Sequence, residues 1–302
     1  MPLPPLVSNP NYSFPFSLKH RFPMAKFGLL QDYLRERQLL TTANHFRPGA
    51  AKAGLIELAH CPSYVNSFIN NTLDKTALRR MGLPWSEALV RRSITAVNGS
   101  FLTAQLALKY GLACHLAGGT HHAHYDFGSG FCIFNDLAIT AKALIAQQKV
   151  AKILIFDCDV HQGDGTATLL ASEDSIFTCS VHCDKNFPAR KAISDLDIDI
   201  PKGCRDQTYL AIVEAQLLKL LAEQQPDLVI YDAGVDVYSG DPLGLLDISL
   251  EGIRTRDHMV VQHCLSRNIP IATVIGGGYD RDHKALAARH AIVIEEATKL
   301  YQ

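Results

Sequence analysis

Four ionisable side chains lie within eight residues in the segment 157–164, which reads DCDVHQGD. Alternate residues of an extended chain point to the same side, so the carboxylate of Asp159 and the imidazole of His161 project together. An oxygen and a nitrogen ligand at this spacing suit zinc, and also iron(II), cobalt or manganese. A loop whose acids cap helices or turns is the competing interpretation, but the segment directly follows an apolar run. We therefore predict that Asp159 and His161 bind a metal ion.

A third metal ligand has to come from another segment, and three aspartates compete for this position. They are Asp232, Asp236 and Asp241, within YDAGVDVYSGDPLG (231–244). Spacing alone does not choose among them. Two aspartates and one histidine would leave a coordination position open, as a catalytic metal site requires.

Two adjacent histidines, His121 and His122, follow a double glycine. A Gly-Gly turn lets both side chains line one cavity, although a core or surface pair without a role is the alternative. Beside a metal ion, one histidine can take a proton from water and the other can donate one to a leaving amine. Two carboxylates near the predicted ligands, Asp157 and Asp164, are available to fix the tautomers of this pair.

Three glycines precede Tyr279 in the segment GGGY (276–279). Glycines permit close backbone approach, so this turn can bring the phenol into the same cavity. A phenol that donates a hydrogen bond to a developing oxyanion suits amide hydrolysis. A plain turn is the alternative, whereas a phosphate-binding P-loop is excluded because no Lys-Ser/Thr follows. Serine hydrolase chemistry is not supported either, because no G-x-S-x-G motif occurs.

Short apolar runs alternate with amphipathic stretches from residue 111 onward. They predict strands at 112–117, 152–157, 176–182, 228–232 and 269–275, and helices at 136–149, 207–224, 249–267 and 282–300. Residues 1–110 are expected to be mostly helical and irregular. Strand–helix alternation implies a mostly parallel sheet with helices on both faces, and ligands of such sheets bind beyond the carboxyl ends of the strands. The polar clusters all follow predicted strands, as such a site requires.

Composition excludes several classes of protein. Of 302 residues, 47% are hydrophobic and 20% charged, and a net charge of -1 provides no overall basic field for nucleic acid. The eight cysteines include no CxxC pair, which predicts free thiols in a reducing compartment rather than a cysteine-ligated zinc site. Neither a signal peptide nor an apolar run long enough to cross a membrane is recognisable, so a cytoplasmic location is expected.

Four sequence blocks together resemble histone deacetylases, most closely bacterial and class IV members. They are GGTHHAHYDFGSGFCIFND (118–136), IFDCDVHQGDG (155–165), YDAGVDVYSGDPLG (231–244) and GGGY (276–279), in the order and spacing of that family. The likeness covers at least residues 112–280, and PNYSFPFSLKHRFPMAKF (10–27) is also similar to the opening of bacterial and class IV members. It implies the arginase/deacetylase fold: a single catalytic domain over residues 1–302, with a central sheet of about eight strands.

The resemblance also implies roles that spacing left open. It implies three zinc ligands, Asp159, His161 and Asp241, whose donor atoms suit iron(II) as well. It implies two histidine–carboxylate pairs, His121 with Asp157 and His122 with Asp164, and places Tyr279 on the substrate carbonyl. The implied walls of an acyl-lysine tunnel are Gly130, Phe131 and Phe187. A structural potassium ion is implied at Asp157, Asp159, His161, Ser180 and Val181.

The implied activity is metal-assisted removal of acetyl or longer acyl groups from acyl-lysine. A small-molecule deacetylase acting on acylated polyamines would use the same residues. A ureohydrolase fits less well, because its binuclear site needs more aspartates, and a non-catalytic acyl-lysine binder would be expected to lack one of the motif residues. Two positions stand apart: Gln162 replaces a histidine that many members have, and His124 has no role beyond an expected place at the rim.

Overall fold

The computed structural model describes residues 2–301, and its centre is a sheet of eight strands. The strands are β1 (Leu6–Val7), β2 (His45–Phe46), β3 (Leu112–His115), β4 (Ile153–Asp157), β5 (Ile176–Cys183), β6 (Leu196–Ile200), β7 (Leu228–Asp232) and β8 (Ile271–Val274). Their order across the sheet is β2-β1-β3-β8-β7-β4-β5-β6, and every neighbouring pair is parallel. The predicted α/β class, with a mostly parallel sheet of about eight strands, is confirmed.

Helices cover the sheet in two layers. They are α1 (Lys26–Glu36), α2 (Ala53–Ile56), α3 (Pro62–Ile69), α4 (Lys75–Met81), α5 (Glu87–Tyr110), α6 (Asp136–Ala146), α7 (Asp164–Leu170), α8 (Asp206–Gln224), α9 (Leu250–Leu265) and α10 (His283–Leu300). Helices α1, α8, α9 and α10 pack in one group, and α5 packs on α6 in the other. Within residues 2–301, none of these helices combines the length and apolar character needed to span a bilayer.

Side-chain caps set the beginnings of several helices where the sequence predicts them. The side chain of Asn135 accepts a hydrogen bond from the Ala138 amide at 2.9 Å at the start of α6. Ser249 does the same for the Gly252 amide at 2.9 Å at the start of α9. Both helices end three or two residues before their predicted ends, as fraying termini commonly do.

Strands β3, β4, β7 and β8 are buried along their whole length, which explains their continuous apolar sequences. Three strands were not predicted. The two-residue strands β1 and β2 are too short to show a pattern, and β6 (LDIDI) alternates charged and apolar residues at the edge of the sheet. Because all strands are parallel, the carboxyl ends of β3, β8, β7 and β4 meet side by side at one edge.

Candidate active site

The segments that leave this edge bring all the predicted catalytic and metal-binding side chains into one buried cluster. His121 and His122 follow β3, Asp157 ends β4, and the other members follow β4, β7 and β8: Asp159, His161, Asp164, Asp241 and Tyr279. None of these residues is more than 9% exposed. Water is therefore largely excluded from the cluster, and charges inside it interact strongly.

Each histidine of the pair is held by its own carboxylate. His121 Nδ1 lies 2.7 Å from Asp157 Oδ2, and His122 Nδ1 lies 2.6 Å from Asp164 Oδ1. The two ring centroids are 4.1 Å apart. A carboxylate on Nδ1 fixes that nitrogen as the protonated one and leaves Nε2 for a substrate or water.

The surroundings shift the pKa values of His121 and His122 in opposite directions. Burial lowers the pKa of His121, but the carboxylates of Asp157 and Asp159 outweigh burial and hold this pKa well above its ordinary value. Burial lowers the pKa of His122 to about 4, and the positive charge of His121 acts in the same direction. Neighbouring groups with pKa values pushed apart are typical of paired acid and base residues. The surrounding charges thus favour the protonated form of His121 and the neutral form of His122.

One group of side chains has the composition of a metal site. Single ligand atoms of Asp159, His161 and Asp236 all lie within 4.8 Å of one another. His161 Nδ1 is 3.0 Å from Asp159 Oδ1 and 3.1 Å from Asp236 Oδ2. Two ligands that are each about 2 Å from one zinc ion lie roughly 3 Å apart, so these separations fit a shared ion.

Asp241 is outside that group of three but lies beside it. Two backbone amides of the GGGY turn each donate to a carboxylate. The Gly277 amide donates to Asp159 Oδ2 at 2.6 Å, and the Tyr279 amide donates to Asp241 Oδ2 at 2.7 Å. Burial and the neighbouring charge of Asp236 together raise the pKa of Asp241 to about 7. Closely spaced carboxylates that resist ionisation together are the electrostatic condition for binding a dication.

A second group with cation-binding character lies behind the first and comprises His121, Asp157 and Asp232. Asp157 is paired in register with Ser180 on one side and with Asp232 on the other. Asp232 is fully buried, and neither of its oxygens has a hydrogen-bond partner within residues 2–301. Val181, implied together with Ser180 near a potassium ion, is buried next to it on β5.

Two glycines have no room for a side chain at this site. A Cβ on Gly277 would lie 2.1 Å from Asp236 Oδ2 and 2.4 Å from Asp159 Oδ2. Gly130 has a φ of +53°, and a Cβ there would lie 2.5 Å from the His122 ring. Close approach of backbone to the reacting groups is therefore what these glycines provide.

The cluster opens to solvent through a cavity of about 550 Å³, here called the entrance cavity. Its lining includes Gly130, Phe131 and Phe187, the three residues implied as tunnel walls, together with His122 and Tyr279. The Phe187 ring lies edge-on to His122 with centroids 4.8 Å apart, and Phe131 lies 5.9 Å from Tyr279. Phe131 itself has a φ of +67°, a strained conformation for a bulky residue, and it aims its ring into this wall.

A smaller cavity of about 30 Å³, the base cavity, lies on the far side of the histidine pair and Tyr279. Two buried cations that sequence reasoning missed, Lys26 and Arg92, line it. Lys26 Nζ donates to the Gly278 carbonyl at 3.2 Å, and burial lowers its pKa to about 8. A lone lysine at the first position of a helix gives no sequence signal that it will be buried.

Arg256 on α9 was also missed, and it fixes the segments that carry Asp159 and Asp236, two carboxylates of the group that could hold a metal ion. Its side chain is fully buried, and Nη1 donates to the carbonyls of Gly234 at 2.8 Å and Cys158 at 3.2 Å. Its Nε donates to Asp257 Oδ1 at 2.9 Å. Cys158 and Gly234 precede Asp159 and Asp236 by one and two residues, so Arg256 holds both segments in place.

Asp136 positions the segment that carries the histidine pair. Its Oδ1 accepts the Thr120 amide at 2.7 Å, and its Oδ2 accepts the Gly119 amide at 3.2 Å and the Ser100 hydroxyl. Ser100 Oγ in turn contacts His115 Nδ1 at 3.0 Å. This buried chain anchors the Gly-Gly turn to α5 and α6.

His124 and Gln162, the two positions that the family resemblance did not explain, also contact named partners. His124 Nε2 lies 3.2 Å from Asp164 Oδ2, so Asp164 contacts both His122 and His124. These two histidines outweigh the effect of burial and lower the pKa of Asp164. The side-chain amide of Gln162 donates to Asp197 Oδ1 at 2.8 Å and to the Ala192 carbonyl at 3.0 Å, and its oxygen accepts the Ala192 amide at 2.8 Å. These hydrogen bonds connect the segment that carries the predicted ligands to β6.

Comparisons with known proteins place the chain in a family. A model of the histone deacetylase domain matches residues 20–294. An uncharacterised protein of Picosynechococcus is 46% identical over 98% of this chain and 99% of its own length. Histone deacetylase 2 of Arabidopsis thaliana is 30% identical (86% and 70% of the two chains), and the acetoin utilization protein AcuC of Staphylococcus aureus is 28% identical (88% and 74%).

A solved structure has the same fold. The crystal structure of the HDA15 HD domain superimposes with a TM-score of 0.78 at 21% identity, over 98% of this chain and 89% of that one. The likeness confirms the fold expected from the four sequence blocks. Together with the domain match over most of its length, it leads to one conclusion: the chain belongs to the histone deacetylase family.

Proposed function

We propose that this protein is a metal-dependent deacylase that hydrolyses the amide bond of acyl-lysine. The observation that carries the proposal is the histidine pair, each member with its own carboxylate, facing the Asp159–His161 group within one buried cluster. The entrance cavity supports acyl-lysine as the substrate, because the aromatic rings of Phe131 and Phe187 in its lining suit an acylated side chain that has lost its charge.

The proposed ion is zinc or iron(II), held by Asp159, His161 and Asp241. Asp236 is completely buried and lies 3.1 Å from the same His161 nitrogen, Nδ1, that faces Asp159, so it would add negative charge beside the ion. When bound, a divalent ion supplies polarisation of the amide carbonyl and lowers the pKa of water. Three protein ligands would leave a coordination position open for water or substrate.

Protons are handled by the histidine pair in this proposal. Neutral His122 takes a proton from the attacking water through Nε2, while doubly protonated His121 stabilises the negative charge that develops. The water oxygen adds to the carbonyl carbon, the C–N bond breaks, and His122 returns the proton to the leaving amine. Tyr279, whose amide is held by Asp241, presents its phenol as a hydrogen-bond donor to the oxyanion.

Three further features belong to the same proposal. A potassium ion would lie near Asp157, Asp159, His161, Ser180 and Val181, where the buried, unpartnered carboxylate of Asp232 adds negative charge. Residues 1–302 would form one catalytic domain. The eight free thiols support a reducing compartment, the cytoplasm.

Hydrolysis of acyl-lysine peptides with and without chelator tests the function. The protein, loaded in turn with zinc and iron(II), is assayed for release of acetate and of a long-chain fatty acid from matched peptides. We expect turnover that a chelator abolishes and metal restores. Acyl-lysine peptides that bind without turnover under every metal would instead identify a binding protein, and exclusive hydrolysis of acetylpolyamines would identify a small-molecule enzyme.

A further inference from the structure

A ring of cations surrounds the way into the site. Beside the entrance cavity lies a second cavity of about 1040 Å³, here called the outer groove, formed by residues 18–21, 242–243 and 279–284. Six exposed lysines and arginines line one or both of these cavities: Lys19, Arg21, Arg80, Lys185, Arg281 and Lys284. The charged side chains at the opening are thus mainly basic.

Few acids oppose these cations. Within the described part of the chain, the linings of both cavities contain two carboxylates, Asp280 and Asp282. Asp280 is paired with Arg289 at 3.1 Å, and Asp282 accepts two backbone amides at the start of α10. Lys185 has a neighbour, Asp184, at 3.2 Å. The other five cations form no ion pair within 4 Å among residues 2–301.

The local charge differs from that of the whole protein. Six cations and two carboxylates give the linings a formal excess of four positive charges, whereas the complete chain carries -1. The remainder of the molecule therefore carries a formal charge of -5. A cavity lined by one sign of charge concentrates ligands of the opposite sign and speeds their binding.

The outer groove and the entrance cavity form one continuous path. They share Arg21, Pro242, Leu243 and Tyr279. The groove is about twice as large as the entrance cavity, and Leu18, which is 84% exposed, adds apolar surface to its wall. A side chain that enters the site can therefore belong to a longer chain that lies along the groove.

We propose that the natural substrate is a polypeptide in which acidic residues flank the acyl-lysine. The acyl-lysine side chain passes Phe131 and Phe187, while neighbouring Asp or Glu side chains lie against the cations of the groove. This inference rests on the proposed deacylase function and names its substrate class. Acylated polyamines are disfavoured because their remaining ammonium groups meet a positive rim.

Three peptides of equal length test the proposal. Each carries one acyl-lysine, and the two residues on either side are all Asp, all Ala or all Lys. The kcat/KM of the metal-loaded protein is measured at ionic strengths of about 10 mM and about 1 M, where charges are screened over about 30 and 3 Å. At low salt we expect the Asp peptide to exceed the Ala peptide by about tenfold and the Lys peptide to fall below it by a similar factor. High salt should bring the three values together.

Charge-reversal variants locate the effect. Lys19→Glu and Lys284→Glu, at two exposed residues that line the outer groove alone, should each reduce the advantage of the Asp peptide severalfold and leave kcat on the Ala peptide unchanged. Lys149→Glu is the matched control: it makes the same change in net charge at an exposed residue that precedes β4, on the opposite edge of the sheet. It should preserve the ranking of the peptides.

The results separate this inference from the deacylase function. Lack of turnover of all three peptides would overturn the proposed function itself. Turnover of the Ala peptide with no preference for Asp would leave that function intact and overturn the inference. Acetylspermidine or free acyl-lysine hydrolysed faster than the Asp peptide would also overturn it, because neither would need acidic residues in the groove.

Discussion

Arg256→Met removes a buried cation, and we expect this change to lower both the stability of the protein and the retention of metal at the proposed site. Arg256 and Asp257 are each 0% exposed, and the Arg256 side chain also donates to the Gly234 and Cys158 carbonyls. Methionine would leave the carboxylate of Asp257 with the Tyr231 hydroxyl, 2.7 Å away, as its remaining donor. Breaking one partner of such a pair costs about 3 to 5 kcal/mol of unfolding free energy.

The expected shift in melting temperature follows from chain length. An unfolding entropy of about 2.1 cal/mol/K per residue gives about 0.6 kcal/mol/K for this chain, so a loss of about 4 kcal/mol lowers Tm by about 6 °C. The control is Arg205→Met, which removes an ion pair of the same type with Asp247 whose side chains are 82% and 43% exposed. This exposed pair should contribute less than about 1 kcal/mol, or under about 2 °C.

Thermal unfolding and metal retention are measured together. Without Arg256, the carbonyls of Cys158 and Gly234 lose a hydrogen-bond donor, and the segments that carry Asp159 and Asp236 become less firmly held. We therefore expect a chelator to remove zinc from Arg256→Met at about a tenfold lower concentration. The double variant Arg256→Met/Asp257→Leu should recover part of the Tm, because it removes the stranded carboxylate. A Tm for Arg256→Met no lower than that of Arg205→Met would refute the reasoning.

Three other predictions concern the site and its surroundings. Tyr279→Phe should lower kcat by about a hundredfold or more with zinc still bound, as loss of one oxyanion donor does; turnover near that of the unaltered protein would remove the phenol from the mechanism. Asp241→Ala should reduce zinc stoichiometry in elemental analysis, and unchanged stoichiometry would favour Asp236 as the third ligand. Burial lowers the pKa of His60 to about 4 in the folded protein, against about 6.5 when unfolded, so the unfolded state binds more protons between these values and stability falls as pH decreases from 6.5 to 4. The non-titrating variant His60→Gln should make denaturant-derived stability less dependent on pH in this window, by up to about 1.4 kcal/mol per pH unit, and an unchanged slope would show that His60 does not titrate as proposed.

The sequence predicts the part of the fold in which local pattern and tertiary environment agree. Strands β4 and β7 are buried on both faces, so their apolar runs ILIF and LVIY show their identity directly. Strand β1 consists of Leu6 and Val7, and its pairing with β2 and β3 depends on contacts that two residues cannot encode. Strand β6 does show a period of two, but as an edge strand with two aspartates it lacks the apolar content expected of a parallel sheet.

The residues of the site also fall into those that the sequence predicts and those that it does not. His121, His122, Asp159 and His161 occur in short dense motifs, and chemistry alone singles them out. Arg256 and Lys26 occur singly on amphipathic helices, where a cation is normally taken to face solvent. Their burial depends on carbonyl groups contributed by segments that are distant in sequence, such as Cys158 for Arg256 and Gly278 for Lys26. Only a three-dimensional structure brings those acceptors to them.

The position of β8 has a consequence for biosynthesis. Among the described strands it comes last in sequence, yet it lies between β3 and β7 and joins the two halves of the sheet. The histidine pair follows β3 in one half, and Asp159 and His161 follow β4 in the other. His161 and Val274 are separated by 113 positions, which a ribosome needs about 6 to 23 s to translate. The proposed metal site therefore reaches its final arrangement only after β8 has been translated and has inserted between β3 and β7.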